Sequence, residues 1–366
     1  MKVSSYVNGQ WHISNDAGVE IYHAVSGDPV AQISSQGIDF AAVATYGRNV
    51  GGTALRQMTL HERANMLKHL GKYLLERKQE FYTLSACTGA TQLDSWVDIE
   101  GGIQTLFSYS GMVRREFSNE TYAIEGPSEA LSAGGSFVGR HILVPKEGVA
   151  VHINAFNFPC WGMLEKIAPS LAAGVPVIVK PASVSCYLTQ LMVKAIVESG
   201  LLPEGAIQLI CGGVGDLLDQ LNEQDVVTFT GSAVTGQKLK SHANIMANSI
   251  PFTMEADSLN YSILGQQATP DTPEFDLFVK SLVTEMTVKA GQKCTAIRRA
   301  IVPANLMDAV STAVIGRLQK MTMGDPAQEG VRMGPLVGRD QVADTWDQLN
   351  RLKQHTQVIY GGSQDF

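Results

Sequence analysis

The chain has 366 residues, 45% of them hydrophobic and 17% charged. That balance suits a globular protein with room for two domains and excludes a disordered or fibrous one. The formal net charge is −7, and without a long basic run such a chain is a poor partner for a nucleic-acid backbone.

Five widely spaced cysteines (Cys87, Cys160, Cys186, Cys211 and Cys294) include no CxxC pair. An odd count of that kind points to a reducing compartment and not to a disulfide framework. The eight histidines show no pair at metal-ligand spacing, so no structural metal is expected. Met1 to Trp11 carries no apolar signal core, and the apolar runs are interrupted before membrane-spanning length. The expectation is a soluble, cytoplasmic protein with no membrane partner.

The first firm element begins near Thr59. Thr59-Leu60-His61-Glu62 has the form of a capping box. Ala64, Met66, Leu67, Leu70 and Leu74 then recur at helical spacing, which predicts a helix over 60–85. A second helix is predicted over 92–114. The stretch 124–147 holds Gly126-Pro127, Gly134-Gly135 and an extended run from Phe137 to Val144, and reads as a protruding hairpin with an exposed pairing edge.

From 148 to 254 short β-rich runs alternate with helical stretches. Strands are predicted at 149–153, 175–179, 207–210, 226–229 and 250–254. The intervening helices fall at 160–173, 186–199, 214–221 and 233–243. Buried strands alternating with helices predict a parallel sheet covered on both faces, a doubly wound α/β domain whose ligands bind at the carboxyl ends of the strands. A second α/β unit follows 256, with helices at 274–290, 304–321 and 340–354 and strands at 298–303 and 358–360.

Several chemistry-bearing residues fall at the ends of these elements. Cys294, in Gly291-Gln292-Lys293-Cys294-Thr295-Ala296, lies just past a predicted helix, where a loop thiol could reach a substrate; a buried structural cysteine is the commoner fate. Glu255 ends a hydrophobic strand, the place for a general base, though also for a solvated charge. Asn157, after the strand at 149–153, could donate to an oxyanion or simply serve the turn. Lys180 ends the next strand and could hold a ribose hydroxyl or a phosphate, or be solvated. Gly231-Ser232 joins a strand to a helix start that could take a phosphate, without being the usual GxGxxG fingerprint.

Taken in order, Asn157-Phe158-Pro159, Lys180-Pro181-Ala182, Phe229-Thr230-Gly231-Ser232, Glu255 and Gly291-Gln292-Lys293-Cys294 resemble the aldehyde dehydrogenase superfamily across essentially the whole chain. The segments 153–166, 254–260 and 95–102 are most similar to the dehydrogenase half of the bifunctional ring-cleavage enzymes of bacterial phenylacetate catabolism. Glu255-Ala256-Asp257-Ser258 stands where the commoner pattern has Glu-Leu-Gly-Gly.

The resemblance implies a doubly wound Rossmann-like cofactor domain at 1–123 and 148–255, an oligomerisation hairpin at 124–147 and a catalytic domain at 256–366. It implies Cys294 as nucleophile, Glu255 as the base that activates water, and Asn157 with the Cys294 amide as oxyanion donors. The cofactor would lie along Ile153 and Asn154, then Lys180, Ala182 and Ser183, then Phe229, Gly231, Ser232 and Gly236, and Ala256. Ser183 stands where NAD-preferring relatives often carry Glu, so NADP is expected, with NAD the alternative.

The implied substrate is a small aldehyde linked to coenzyme A, a semialdehyde of phenylacetate catabolism or of the sister benzoyl-CoA pathway. Glu255 speaks against a CoA-acylating dehydrogenase. The family's later Glu-x-Phe-Gly-Pro motif and C-terminal arm do not occur, and no residue belongs to the ring-opening hydratase domain of the bifunctional relatives. The chain therefore reads as a shortened dehydrogenase, or as a truncated remnant that binds nucleotide or associates through its hairpin. A homo-oligomer is implied for the full-length relatives.

Overall fold

The computed structural model describes residues 1–363. Its first 57 residues, silent in periodicity, form several short elements. β1 (Ser5–Val7) and β2 (Gln10–His12) pair antiparallel across an Asn8-Gly9 turn, both residues having positive φ, as tight hairpins require. β3 (Val19–Tyr22) and β4 (Pro29–Ile33) make a separate two-stranded sheet. α1 (Phe40–Tyr46), capped by Asp39, runs through a π-helical turn at 47–52 into α2 (Thr53–Gln57). Within that turn Gly51 approaches Gly205 so closely that a Cβ would lie 2.0 Å from the Gly205 carbonyl oxygen.

The predicted helix over 60–85 is two helices. α3 (Leu60–Glu76) starts on the expected capping box: Glu62 N–H donates to Thr59 Oγ1 at 3.2 Å, and Thr59 N–H to Glu62 Oε2 at 2.7 Å. The chain breaks at Arg77, outside helical geometry at φ −97°, ψ 5°, whose guanidinium binds Glu80 and Glu198, and resumes as α4 (Lys78–Ser85). The second predicted helix is α5 (Gln92–Trp96) and α6 (Gly102–Glu116), joined by a π-helical turn at 97–101. β5 (Ala123–Ala130) and β6 (Val138–Leu143) form the expected antiparallel hairpin, exposed along most of its length.

The alternating region follows as β7 (Ala150–Ile153), α7 (Pro159–Ala172), β8 (Val177–Lys180), α8 (Cys186–Glu198), β9 (Ile207–Leu209), β10 (Val226–Gly231), α9 (Ala233–Lys240), α10 (Ala243–Ala247) and β11 (Phe252–Ala256). The predicted helix at 214–221 shrinks to a 3-10 turn at 217–220, because Gly212 and Gly215 turn the chain through positive φ just before it. Beyond lie β12 (Tyr261–Ile263), α11 (Pro273–Thr287), β13 (Arg299–Ile301), α12 (Met307–Leu318) and α13 (Arg339–Lys353). The predicted strand at 358–360 does not form. Its residues are exposed and pair with no described strand, and Lys353 Nζ donates to the Gly362 carbonyl just beyond at 2.8 Å.

The chain divides into two compact units. The first comprises Met1–Ile21, Ala31–Phe81 and Trp96–Ala256. Its sheet has the order β11-β10-β7-β8-β9-β1-β2, with the first five strands parallel. The expected all-parallel sheet is thus mixed: β1 adds antiparallel to β9 through Tyr6 opposite Leu209, since a hairpin can extend an edge without a crossover. Every residue of β7 and β9 is buried, which only a sheet covered on both faces allows. Val149, Val151, Ile153, Ile178, Val227 and Phe229 lie at the centre of its core. The second unit is built on the chain from Asp257 on, and also takes in Tyr22–Val30 and Tyr82–Ser95, two segments that sequence placed in the cofactor domain. Its core packs α11 and α12 through Phe275, Phe278, Leu282 and Val310.

Arg63, on α3, is buried in the first unit at 1% exposure. Its guanidinium donates to Ala172 O at 2.8 Å, Leu55 O at 3.0 Å and Met58 O at 2.7 Å, the carbonyls at the ends of α7 and α2. These are helix C-termini, where a cation is favoured and carbonyls lack intrahelical donors. Replacing Arg63 by Met should lower stability by about 3 kcal/mol, because it strands three acceptors. A urea titration reads this as a lower midpoint at unchanged slope, and an unmoved midpoint would refute the role.

Candidate active site

In the first unit the parallel strands read β9-β8-β7-β10-β11, which is 3-2-1-4-5 in chain order. The order reverses between β7 and β10, and in open α/β sheets ligands bind outside the carboxyl ends of the strands at such a reversal. The residues flanking it are Ile153 and Asn154 after β7 and Phe229 to Ser232 after β10. Asn154 N–H extends the ladder to Lys180 O at 2.9 Å. Its side-chain amide is buried with neither atom hydrogen-bonded among the described residues.

Asn157, half-buried, stands just before α7, whose first residue is Pro159. Asp98, buried in the π-helical turn at 97–101, accepts from the amides of Cys160 at 3.0 Å and Trp161 at 2.8 Å. It occupies free amides that every helix start leaves open and so fixes the chain beside Asn157. Sequence analysis missed Asp98, although a carboxylate within an interrupted helical pattern is a usable signal.

Lys180 is not a solvated surface lysine. It is half-buried at the end of β8 and forms no ion pair among the described residues. Burial lowers the pKa of its ammonium, with the Cys186 and Cys211 thiols opposing. Ala182 opens the 3-10 turn 183–185 that leads into α8. Ser183 lines an open cavity of about 330 Å³ with Ser34, Ser35, Gly212 and Gly213; Asp16 also borders it, its carboxylate accepting from Ser34 Oγ at 2.9 Å. The Ser34–Ser35 wall comes from the N-terminal segment, which sequence placed in the cofactor domain without predicting an element in it.

Ser232 caps α9, its hydroxyl accepting from Thr235 N–H at 3.3 Å. Gly231 and Gly236 lie tight against neighbouring side chains. A Cβ on Gly231 would meet the Phe229 ring at 2.6 Å, and one on Gly236 would meet the Met254 sulfur at 2.4 Å. Glu255 and Ala256 close β11, an edge strand, opposite Thr230 and Gly231. Glu255 is exposed, and no described group hydrogen-bonds or ion-pairs its carboxylate.

In the second unit, α11 ends at Thr287, short of the predicted 290. The chain then passes through Lys289 and Ala290, both at φ 53°, and Gly291 at φ 74°. Two successive non-glycine residues in left-handed geometry cost about 1–2 kcal/mol each. They are held in place: Lys289 N–H donates to Asp94 Oδ1 at 2.9 Å, and its buried ammonium to Thr88 Oγ1 at 3.1 Å. Asp94 is itself fixed by Thr91, and Gln292 returns its side-chain amide to Lys289 O at 2.9 Å. Past this turn Cys294 stands exposed with a free thiol. The four other cysteines are buried or half-buried, so Cys294 is the accessible one.

Among the described residues, no group of three acidic, His or Cys side chains could hold a metal ion, and no helix is long and apolar enough to cross a membrane.

The family model for the aldehyde dehydrogenase family matches residues 11–366, and the chain belongs to that family. It is 46% identical over 367 residues to 3,4-dehydroadipyl-CoA semialdehyde dehydrogenase of Aromatoleum evansii, covering all of this chain and 71% of that protein. To the NADP(+) succinate-semialdehyde dehydrogenase of Escherichia coli (strain K12) it is 24% identical, over 97% of this chain and 71% of the relative. The fold matches a crystal structure of an E. coli NADP-dependent enzyme with a TM-score of 0.85 at 22% identity, over 99% of this chain and 73% of that one. A lactaldehyde dehydrogenase structure matches equally well, with a TM-score of 0.85 at 21% identity over 99% and 74%. The fold is that of the NAD(P)-dependent aldehyde dehydrogenases, which oxidise an aldehyde to a carboxylic acid.

His152, beneath the candidate cofactor edge on β7, is fully buried with Nε2 against Ser170 Oγ at 3.1 Å. Burial, and then the charge of Lys166, push its pKa down to about 3. The unfolded chain takes up this proton near pH 6.5 and the folded one only near pH 3, so stability falls as pH drops through that window. His152→Gln should flatten the pH dependence of the urea midpoint between about pH 7 and about pH 4; equal slopes in variant and parent would contradict a buried neutral imidazole.

Proposed function

We propose that this chain oxidises a semialdehyde carried on coenzyme A to the corresponding carboxylic acid, with hydride passing to NADP. The observation that carries the reading is 46% identity, along the whole chain, to a relative named for a CoA-linked semialdehyde. The intact set of Cys294, Glu255 and Asn157 supports it. The phenylacetate-type segments favour 3-oxo-5,6-dehydrosuberyl-CoA semialdehyde as substrate. The relative's name favours 3,4-dehydroadipyl-CoA semialdehyde, and we take that one first.

The roles are those that membership in the aldehyde dehydrogenase family implies for these groups. The Cys294 thiolate attacks the aldehyde carbon, a C–S bond forms, and the carbonyl electron pair moves onto oxygen. Asn157 and the Cys294 amide hold that oxyanion. The bound nicotinamide would supply the hydride acceptor that turns this adduct into a thioester. Glu255 takes a proton from water, which attacks the thioester carbon, and the C–S bond breaks to release acid and thiolate.

The residues of the first unit suit a phosphorylated dinucleotide: a strand-order reversal, the amides at the start of α9, and the half-buried Lys180 without an ion-pair partner. Ser183 leaves its cavity without a second carboxylate beside Asp16, which supports NADP over NAD. The NADP(+) in the name of the succinate-semialdehyde relative agrees.

The reading is tested by following reduced-cofactor absorbance with the CoA-linked semialdehyde and each nicotinamide. Cys294→Ala should lose all turnover, and a variant that still turns over would end the proposal. Glu255→Gln should give a burst of reduced cofactor close to one equivalent and then turn over about 100-fold more slowly, because acylation survives the loss of the base. Ser183→Glu should cut kcat/KM for NADP about tenfold or more and spare NAD, since it sets an anion against the 2′-phosphate; an unchanged ratio would move the phosphate site elsewhere.

A further inference from the structure

Cys294 lies on an exposed loop, outside any helix or strand, yet the backbone on both sides of it is tied down. Arg298 Nη1 donates to Gly291 O at 3.0 Å and Nη2 to Lys293 O at 3.3 Å. Asn260 Nδ2 donates to Cys294 O at 2.7 Å and to Ala296 O at 3.2 Å. The two clamps are joined, because Asn260 O accepts the amides of Arg298 at 2.9 Å and Arg299 at 3.2 Å. Both stand at the start of paired strands, with Tyr261 of β12 opposite Arg299 of β13. Sequence analysis assigned neither residue a role, although Asn260 closes the segment 254–260.

From this geometry we infer that Arg298 is a positioning residue for the thiohemiacetal step, an inference that rests on Cys294 being the nucleophile. Lys293 O and the Cys294 N–H belong to one peptide unit. That unit is planar and trans, so fixing the carbonyl fixes the opposite direction in which the N–H points. A guanidinium on the carbonyl also polarises the unit, because charge-assisted bonds are stronger and hydrogen bonds through a peptide reinforce one another. The Cys294 N–H is thereby both aimed and strengthened as an oxyanion donor. Asn260 sets the following peptide by the same means. Arg298 is exposed and forms no ion pair among the described residues, so these carbonyls are the partners its guanidinium has.

The test uses the full chain with Arg298→Met and Arg298→Gln, beside Cys294→Ala. kcat and KM are measured on the CoA-linked semialdehyde and on a short uncharged aldehyde, and Tm is recorded for each variant. Arg298→Met should lower kcat about tenfold on both aldehydes with KM within about twofold, because only transition-state stabilisation is lost. Its Tm should stay at the parent value, since the side chain is exposed, and Arg298→Gln, which keeps an amide donor, should recover part of the rate. A raised KM for the CoA-linked aldehyde alone, at unchanged kcat, would overturn the inference by making Arg298 a contact for the substrate's phosphates. Parent-like kinetics in Arg298→Met with an inactive Cys294→Ala would sink the clamp and leave the nucleophile standing. Turnover in Cys294→Ala would remove the nucleophile assignment and the clamp's purpose with it.

Discussion

Burial of the parallel strands on both faces is the constraint from which the first unit follows. β7 and β9 expose no residue, and β8 only begins to emerge at Lys180. Strands so placed cannot turn back on themselves, so each must be joined to the next by a crossover that covers the sheet. All five carboxyl ends then gather on one edge, and the order reverses there between β7 and β10, the place where ligands bind in open α/β sheets. Asn154, Asn157, Lys180, Gly231, Ser232 and Glu255 come from four different strands, and the parallel arrangement alone brings them to one edge.

The second unit presents its exposed thiol by another route. The loop carrying Cys294 is shaped by left-handed turns at Lys289 to Gly291, and that shape is maintained by hydrogen bonds that Asp94 and Thr88 accept and that Gln292, Arg298 and Asn260 donate. Strained backbone of this kind persists only where its surroundings over-determine it. The result is an accessible thiol on a loop with little freedom to move, the condition for positioning a reacting atom.

Three buried charged groups of the first unit obey one rule. Arg63 meets only carbonyls at helix ends, Asp98 meets the amides at the start of α7, and Asp225 takes Arg48, Val149 N–H and Asn222 N–H. Each of the three is matched by several fixed dipoles or an opposite charge, as desolvation demands. Asp98 also braces the candidate cofactor edge, by holding the chain after Asn157, whereas Asp225 ties the amino ends of β7 and β10 together at the opposite edge of the sheet.

Much of this was legible in the amino-acid sequence, because the signals are local. The Thr59–Glu62 capping box, each strand or helix of the alternation from 148 to 254 and the hairpin around 134–135 show in short stretches of chain, and the motifs that hold Asn157, Lys180, Ser232 and Glu255 lie at strand or helix boundaries. Tertiary structure decided what depends on distant partners. β1 and β2 are too short to announce themselves, and exist because the edge of β9 accepts them. Val358 to Tyr360 have β-rich chemistry but no described strand beside them, and a strand without a ladder is not stable. Asp94, Asp98, Asn260 and Arg298 gain their roles from backbone groups that only folding brings within reach, Asp94 from an amide 195 positions away. Periodicity and capping are properties of neighbours along the chain, whereas hydrogen-bond partners across it are chosen by packing.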